Sequence, residues 1–482
     1  MPPRHPARLR CLRARFFAAA IIGACLAAAV LPAQTAPLAN DPWLQPLAEY
    51  TRPAPGRDLP ASEEQLEQLL ALAATKSPLM IQQADSVDQA DAARFRSWLR
   101  HTPVITASYS LGMFYQATGT SGASAVTPGG TLTLQASQPI WHWGAFDAQT
   151  NLGLLREQLA QNEAIMDYAK LCLDVRKRYY DLIVLQAKTA AYTGEIAAAQ
   201  RVLDKERLLF SQGHSTEQLV NTDEVALSKL ESQQAKAASD FDYQLVEFKR
   251  VTGSPTFSTA DVPDRIYLPV VDDPGLKTPL EGAQKNGLDN SPLARAAELN
   301  TQTIDQQLII SRASRKPQLD FGASVSQTPY INSANNGLKF GTVFFLGVTG
   351  TWTLSDRGDS VAQDSALLAQ KHQVEAQFAD VRAQTVNDAA NSLSQMDAGV
   401  RLLASLRRQY ALQQGDYRQA QTLIELGRAD ATQLDTARNA LLDTRLQILT
   451  EQAAVTDSYY SYLSDIFRDP ALANAPPFTK PR

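Results

Sequence analysis

An internal repeat of long period constrains the fold of this chain more than any other feature. At a fixed offset of 214 residues, Ser77-Pro78-Leu79 matches Ser291-Pro292-Leu293. The further matches at this offset include Pro103 with Pro317, Gly144 with Gly358, and Gly213 with Gly427. Because self-similarity at one period marks repeated structural units, the sequence predicts two copies of one unit, at 77–250 and 291–464.

The segments outside the two repeats are rich in proline. Seven prolines lie in 32–60 and five in 255–279. Proline lacks a backbone N–H and restricts the residue before it, so segments 34–76 and 251–290 are predicted to be extended and non-helical. Residues 465–482 are interpreted as a C-terminal tail.

The first 33 residues have the layout of a secretory signal peptide. Arginines between Arg4 and Arg15 precede an uncharged apolar stretch at 16–31, and Pro32-Ala33 offers a small residue for cleavage. The apolar stretch is shorter than the about 20 residues that a membrane-spanning helix needs. Cleavage near Ala33 is predicted, and two alternatives stay open: a retained N-terminal anchor, and a lipoprotein signal with lipidation at Cys25.

The charge balance argues against one class of partner. The chain has 45 Lys and Arg residues against 50 Asp and Glu residues. Removal of the leader, with its five arginines, leaves 40 against 50, a net charge of −10. An acidic chain without a run of Lys and Arg does not fit nucleic-acid binding, so no nucleic-acid partner is expected.

Each repeat contains two stretches in which apolar and small polar residues alternate. They predict strands at about 104–115 and 131–140, and at about 318–328 and 341–354, joined by loops at 114–130 and 327–339. An apolar face opposite a face of Ser and Thr is typical of a transmembrane β-barrel, although a sandwich face alternates in the same way. The residues predicted to face lipid are Ile105, Tyr109, Leu111, Leu132, Leu134, Leu319, Phe321, Val325, Leu346 and Val348.

The rest of each repeat has the pattern of a very long helical hairpin. No proline occurs between Pro139 and Pro255 or between Pro329 and Pro470, and apolar residues recur at near-heptad spacing. The hairpins are predicted at about 144–250 and 358–464. Each has a glycine where the pattern is interrupted, and a turn there can adopt a positive φ at little cost.

Four strands are too few to close a barrel, for which about eight is the practical minimum. An open sheet in hydrocarbon would leave unpaired backbone groups at its edges. Closure by neighbouring copies is therefore predicted, and three copies give a twelve-stranded barrel with a usable lumen. The predicted fold is mainly α, with long antiparallel coiled-coil hairpins and a small antiparallel sheet.

These features resemble the TolC-like outer-membrane efflux family. The most specific stretches are Leu354-Ser355-Asp356-Arg357-Gly358, before the second hairpin, and Leu426-Gly427-Arg428-Ala429-Asp430 at its tip. The resemblance implies a homotrimer with a β-barrel in the outer membrane and an α-barrel in the periplasm, and it makes 34–76 and 251–290 equatorial regions. It implies a passive channel of a tripartite efflux pump or a type I secretion system, not an enzyme, with no cofactor. The alternative is an exported periplasmic coiled-coil scaffold without pore activity.

The resemblance also implies partners and sites at the hairpin tips. The partners are outer-membrane lipid, a periplasmic membrane-fusion adaptor and an inner-membrane pump of the RND, ABC or MFS type. The residues assigned to adaptor docking are Gly213, His214, Gly427, Arg428 and Asp430, and the candidates for a constriction are Gln433, Asp435 and Thr436. Two positions that are often acidic in the family are neutral here, Gln433 and Thr436. We therefore expect a tip closed by packing more than by salt bridges.

An aromatic cluster lies where strands meet helices. Trp141, Trp143 and Trp352 are predicted to form an interfacial girdle, with plain core packing as the alternative. No motif of a metalloprotease or a phosphate-binding loop occurs, so no catalytic or metal site is expected.

Overall fold

A computed structural model describes residues 60–117, 124–269, 273–286, 288–332 and 337–475. The predicted signal peptide, Cys25 and residues 34–59 lie outside these ranges. Two helices, α1 and α5, precede the repeats, and each repeat contains a helix, two strands, a very long helix and a shorter one. The elements are α1 (Ala61–Lys76), α2 (Pro78–Leu99), β1 (Val104–Ala117), β2 (Ser124–Trp141), α3 (Ala145–Ser211), α4 (Glu217–Thr252), α5 (Asp273–Asn286), α6 (Pro292–Ser314), β3 (Gln318–Asn332), β4 (Gly337–Thr351), α7 (Asp359–Glu425) and α8 (Ala431–Asp465).

The element boundaries follow the 214-residue offset. Helices α3 and α7 are each 67 residues long, and their first and last residues are separated by this offset. Helices α2 and α6 begin at the equivalent prolines, Pro78 and Pro292. At about 1.5 Å per residue, α3 and α7 are each about 100 Å long. The predicted two-fold internal repeat is confirmed.

The four strands form one antiparallel sheet in the order β1-β2-β3-β4. The two halves of the chain meet where β2 pairs with β3, with Leu134 opposite Val325. The mainly helical fold with a small antiparallel sheet is confirmed. The strands are longer than predicted, because backbone pairing continues into the Gly- and Ser-rich segments to Ala117 opposite Ser124 and Asn332 opposite Gly337.

Two predictions about the flanking segments are wrong. Residues 61–76 form α1 and not an extended segment, because Leu66, Leu69, Leu70 and Ala73 recur at helical spacing and are buried. Residues 273–286 form α5 although this helix contains Pro279, and its apolar side is buried.

Each repeat also begins with a helix, α2 or α6, that the sequence analysis did not separate from its surroundings. Both helices have a proline at the first helical position. An amide hydrogen there would have no partner within the helix, so proline costs no hydrogen bond, and its ring fixes φ at a helical value.

The segment after α8 is anchored to α3 by a buried ion pair. The Arg176 guanidinium donates to both carboxylate oxygens of Asp469, one at 3.0 Å, and lies 4.0 Å from the ring centroid of Tyr460. A buried charge is tolerated when it is paired and hydrogen-bonded, so this contact fixes the C-terminal segment against the core.

Candidate functional site

The sheet presents one continuous apolar face. The strand register places all ten residues predicted to face lipid on this face, for example Tyr109 opposite Leu132 and Phe321 opposite Val348. All ten are exposed in the single copy. Large apolar surface left in water marks a site of contact with lipid or protein.

The opposite face of the sheet carries a ladder of hydroxyl groups. The hydroxyls of Ser110 and Thr131 lie 2.5 Å apart, and those of Thr133 and Ser326 lie 3.2 Å apart. Val343 and Phe345 also lie on this face, opposite Ser326 and Ser324. The sequence analysis missed both residues, because β4 is apolar at successive positions and its alternation is weak.

The two outer strands have unsatisfied edges. In the part of the chain that the structure describes, β1 pairs only with β2, and β4 pairs only with β3. An apolar sheet with two open edges is a template for pairing with another chain.

A β-bulge brings Trp141 to the apolar face. The register shifts between Pro139, which lies opposite Asp320, and Trp141, which lies opposite Leu319. Without the bulge, strict alternation would place Trp141 on the hydroxyl face. The extra residue therefore redirects the indole toward the same side as the predicted lipid-facing residues.

Two of the three tryptophans donate a hydrogen bond, and none of the three is buried. The indole N–H of Trp143 donates to the Pro317 carbonyl at 2.7 Å, and that of Trp352 donates to the Arg315 carbonyl at 3.1 Å. Their exposed fractions are between 41% and 58%. These exposures disfavour plain core packing, and the interfacial girdle stays a prediction.

The far ends of both hairpins have the same turn. Gly213 and Gly427 have φ of 76° and 64°. The N–H of Gly213 donates to the Phe210 carbonyl at 3.0 Å, and the N–H of His214 donates to the Leu209 carbonyl at 2.9 Å. The turn at Gly427 repeats this pattern of hydrogen bonds, which is the Schellman motif. Glycine is favoured at both positions because a side chain would be strained at positive φ.

Ion pairs join the two hairpins near these tips. Arg201 of α3 binds the Asp435 carboxylate of α8 with two nitrogens, at 2.5 and 3.2 Å. One helical turn further along α3, Lys205 donates to Asp430. The sequence analysis expected the tip to be closed by packing more than by salt bridges. Within one copy both carboxylates make ionic contacts with α3, and closure of the tip by packing stays a prediction.

The other two constriction candidates take no part in these ion pairs. The Thr436 hydroxyl donates to the Thr432 carbonyl of its own helix at 2.8 Å, and Gln433 is exposed. Arg201 and Lys205 are the residues that sequence reasoning missed. Their only signal is a pair of cations spaced by four residues near the end of α3.

A pair of carboxyl groups lies at the same helix contact, further from the tips. Burial raises the pKa of Glu195 on α3 to about 7, and the charge and hydrogen bond of Asp443 on α8 raise it too. A pKa near neutrality makes this contact between the hairpins sensitive to pH in the physiological range.

The start of the second hairpin is ordered by Asp356. Its carboxylate accepts the N–H groups of Gly358 at 3.0 Å and Ser360 at 2.9 Å. Hydrogen bonds from the side chain and backbone of Ser360, and from Gly358, lower the pKa of Asp356. Arg357 and Gly358 both have positive φ, and the equivalent residues of the first repeat do so as well.

Two other kinds of feature are absent from the described ranges. None of the helices there combines sufficient length with low enough polarity to cross a membrane. No group of three or more His, Cys, Asp or Glu side chains in the same ranges is arranged to hold a metal ion.

Comparison with known proteins identifies the fold. Residues 285–461 match the family described as outer membrane efflux protein. The outer membrane protein VceC from Vibrio cholerae superposes with a TM-score of 0.62 at 14% identity, over 84% of this chain and 96% of that one. The CmeC outer membrane channel of Campylobacter jejuni gives a TM-score of 0.66 at 12% identity, over 89% and 93% of the two chains.

A third structure, the open state of the Neisseria gonorrhoeae MtrE outer membrane channel, gives a TM-score of 0.61 at 14% identity, over 83% of this chain and 88% of that one. A search of curated proteins found no match. The chain thus has the fold of these outer-membrane proteins, and its residues 285–461 match the outer membrane efflux protein family.

Proposed function

We propose that three copies of this chain form a passive outer-membrane channel for efflux. The observation that carries the proposal is the exposed apolar face of the sheet, bordered by two edges that pair with no other strand of the described ranges. Fully burying a Leu- or Phe-sized side chain is favourable by about 1.5–3 kcal/mol, so ten partly exposed residues represent on the order of 10 kcal/mol per copy. A soluble coiled-coil scaffold would leave this energy unused.

The number of copies follows from the strands. Each copy supplies four, and three copies supply the twelve that leave room for a lumen lined by the Ser and Thr hydroxyls. Two copies would give eight strands, and the interior of a barrel of that size is filled by its own side chains. The predicted homotrimer and the orientation with apolar residues toward lipid are therefore parts of one proposal.

The finer assignments belong to the same proposal. Export through a cleaved signal peptide would bring the chain to the outer membrane, with its hairpins in the periplasm. The tips at Gly213 and Gly427 would contact a periplasmic adaptor and, through it, an inner-membrane pump or a type I secretion exporter. In this proposal the channel is passive. The inner-membrane partner would supply the energy and would select the cargo.

Conductance with a thiol probe tests both the pore and its orientation. The mature protein, in a Cys172→Ala background, is inserted in planar bilayers. Discrete conductance steps are expected, and a charged water-soluble thiol reagent should reduce them in Thr133→Cys. Leu134→Cys is the matched control on the apolar face and should not respond. A protein that needs no detergent and conducts no current would refute the channel, and block of Leu134→Cys alone would reverse the faces.

A further inference from the structure

We infer that the hydroxyl face of the sheet carries a site for aromatic organic cations, formed by Phe345 and Asp320 around a pair of glycines. The inference rests on the proposed channel and deepens it, because the hydroxyl face lines the lumen only if the apolar face meets lipid. It adds a class of solute that this chain itself would bind on the way through.

The first repeat shows what these positions carry when they only line the face. At the 214-residue offset they are all hydroxyl residues: Thr106, Ser108, Thr131 and Thr133. The strand pairing is the same in both repeats, since Ser108 lies opposite Thr133 and Gly322 lies opposite Gly347. In the second repeat, a patch of hydroxyl groups is therefore replaced by one carboxylate, two glycines and one phenyl ring: Asp320, Gly322, Gly347 and Phe345.

The two glycines make room for the ring of Phe345. A β-carbon at Gly322 would lie 3.4 Å from the ring, and one at Gly347 would lie 3.3 Å from it. The distal edge of the ring therefore lies over both glycines, and a branched side chain such as that of Thr133 would displace it. Phe345 is 45% exposed, so part of the ring is open to a solute.

Asp320 places a negative charge beside the ring. It lies two residues before Gly322 on the same face of β3, about 7 Å along the strand. Its Oδ1 lies 2.8 Å from Nε2 of His142, and this contact holds the carboxylate in position. Within the described ranges no Lys or Arg forms an ion pair with Asp320, and its side chain is 32% exposed.

A phenyl ring next to a carboxylate matches one class of solute. A flat aromatic system can stack on Phe345, and a positively charged one is also attracted by the negative face of the ring. The carboxylate of Asp320 attracts the same positive charge and repels an aromatic anion. The site therefore favours aromatic cations over aromatic anions and over cations without a ring.

The partial exposure of both groups makes the site a weak one. Weak binding suits a conduit, because a solute must be able to leave as well as enter. Only the second repeat carries these residues, so a trimer would have three such sites around its lumen.

Block of the channel current by ethidium, a planar aromatic cation, tests the site. The concentration of ethidium that halves the current is measured in planar bilayers. Phe345→Leu keeps an apolar side chain without an aromatic ring, and this concentration should rise about fivefold, which corresponds to the loss of a cation–π contact of about 1 kcal/mol. Phe345→Tyr keeps the ring and should retain the wild-type value.

A second variant tests the charge. Asp320→Asn should also raise the half-blocking concentration of ethidium. The matched control is Thr106→Asn, at the equivalent position of the first repeat, and it should leave the block unchanged. Tetraethylammonium, a cation without a ring, should block weakly and should not distinguish Phe345→Leu from the wild type.

A half-blocking concentration of ethidium that is the same in the wild type and in Phe345→Leu would overturn the site while leaving the channel standing. Equal losses of block by both cations in Asp320→Asn would also overturn it, because the carboxylate would then act as a general charge in the lumen. If a variant gives no channels, binding of ethidium to the detergent-solubilised protein, followed by its fluorescence, makes the same comparison. A wild-type protein that conducts no current would refute the proposed channel itself.

Discussion

Ion pairs between α3 and α8 help to hold the tip of the second hairpin to the first. The side chain of Arg201 is 51% exposed, but that of its partner Asp435 is 13% exposed and is bound by two nitrogens. Exposed pairs contribute about 0.2–1 kcal/mol, and a bidentate pair with a shielded carboxylate lies at the upper end. We therefore expect Arg201→Met to destabilise this contact by about 1 kcal/mol, which is about a fivefold shift in an opening equilibrium.

Hydrogen exchange of the assembled protein measures this shift. Peptides that cover the start of α8 should exchange about fivefold faster in Arg201→Met than in the wild type. The matched control is Arg207→Met, which removes a cation that lies 3.5 Å from Glu224 within the first hairpin and does not join the two hairpins. The control should leave exchange in α8 unchanged.

A charge exchange separates the ion pair from other effects of the substitution. The double variant Arg201→Asp with Asp435→Arg restores opposite charges across the contact and should recover most of the protection in α8. Equal exchange in Arg201→Met and the wild type would refute the reasoning, as would equal acceleration in the Arg207→Met control.

Three further predictions concern the tip, the helix contact and the sheet. Gly427→Val places a β-branched residue at φ 64°, which costs a strain of about 1–3 kcal/mol. The variant should capture less of the periplasmic adaptor in a pull-down, while the mass of the assembled protein stays unchanged. Burial raises the pKa of Glu195 to about 7, so its contribution to stability is complete below its ordinary pKa and is lost as the pH rises through about 7. The melting temperature of the wild type should therefore fall over this range more than that of Glu195→Gln, and equal slopes would contradict the assignment. On the sheet, Phe344→Arg should reduce assembly in the outer membrane, because a cation facing lipid costs about 2–4 kcal/mol near the midplane, whereas Val343→Arg on the hydroxyl face should assemble normally.

The parts of the fold that the sequence predicts are those with a local or periodic cause. The offset between the two repeats predicted both long hairpins, because whole elements recur at one spacing. Gly213 and Gly427 marked the turns because the Schellman motif requires a positive φ at one position. The residues of the apolar face followed from alternation with period two, which survives wherever the strands are regular.

The parts that the sequence did not predict depend on competition or on distant contacts. Helix α1 was missed because the prolines before residue 61 outweighed the helical spacing of Leu66, Leu69 and Leu70. The face of Trp141 depends on a bulge, which strict alternation cannot foresee.

The ion pairs at the tip could not be inferred from spacing along the chain. Arg201 and Asp435 are separated by more than two hundred residues, and their contact depends on how the long helices wind about each other. Phe345 was missed for a different reason, since the apolar run in β4 hides which residues belong to which face.

The central claim is that the apolar sheet of each copy is closed by its neighbours. Electron cryo-microscopy of the purified protein in lipid nanodiscs tests it most directly. The account predicts a three-fold particle with a closed twelve-stranded sheet inside the lipid disc and the helical hairpins outside it. A monomer whose four strands are covered by its own helices, with no lipid around the sheet, would contradict it.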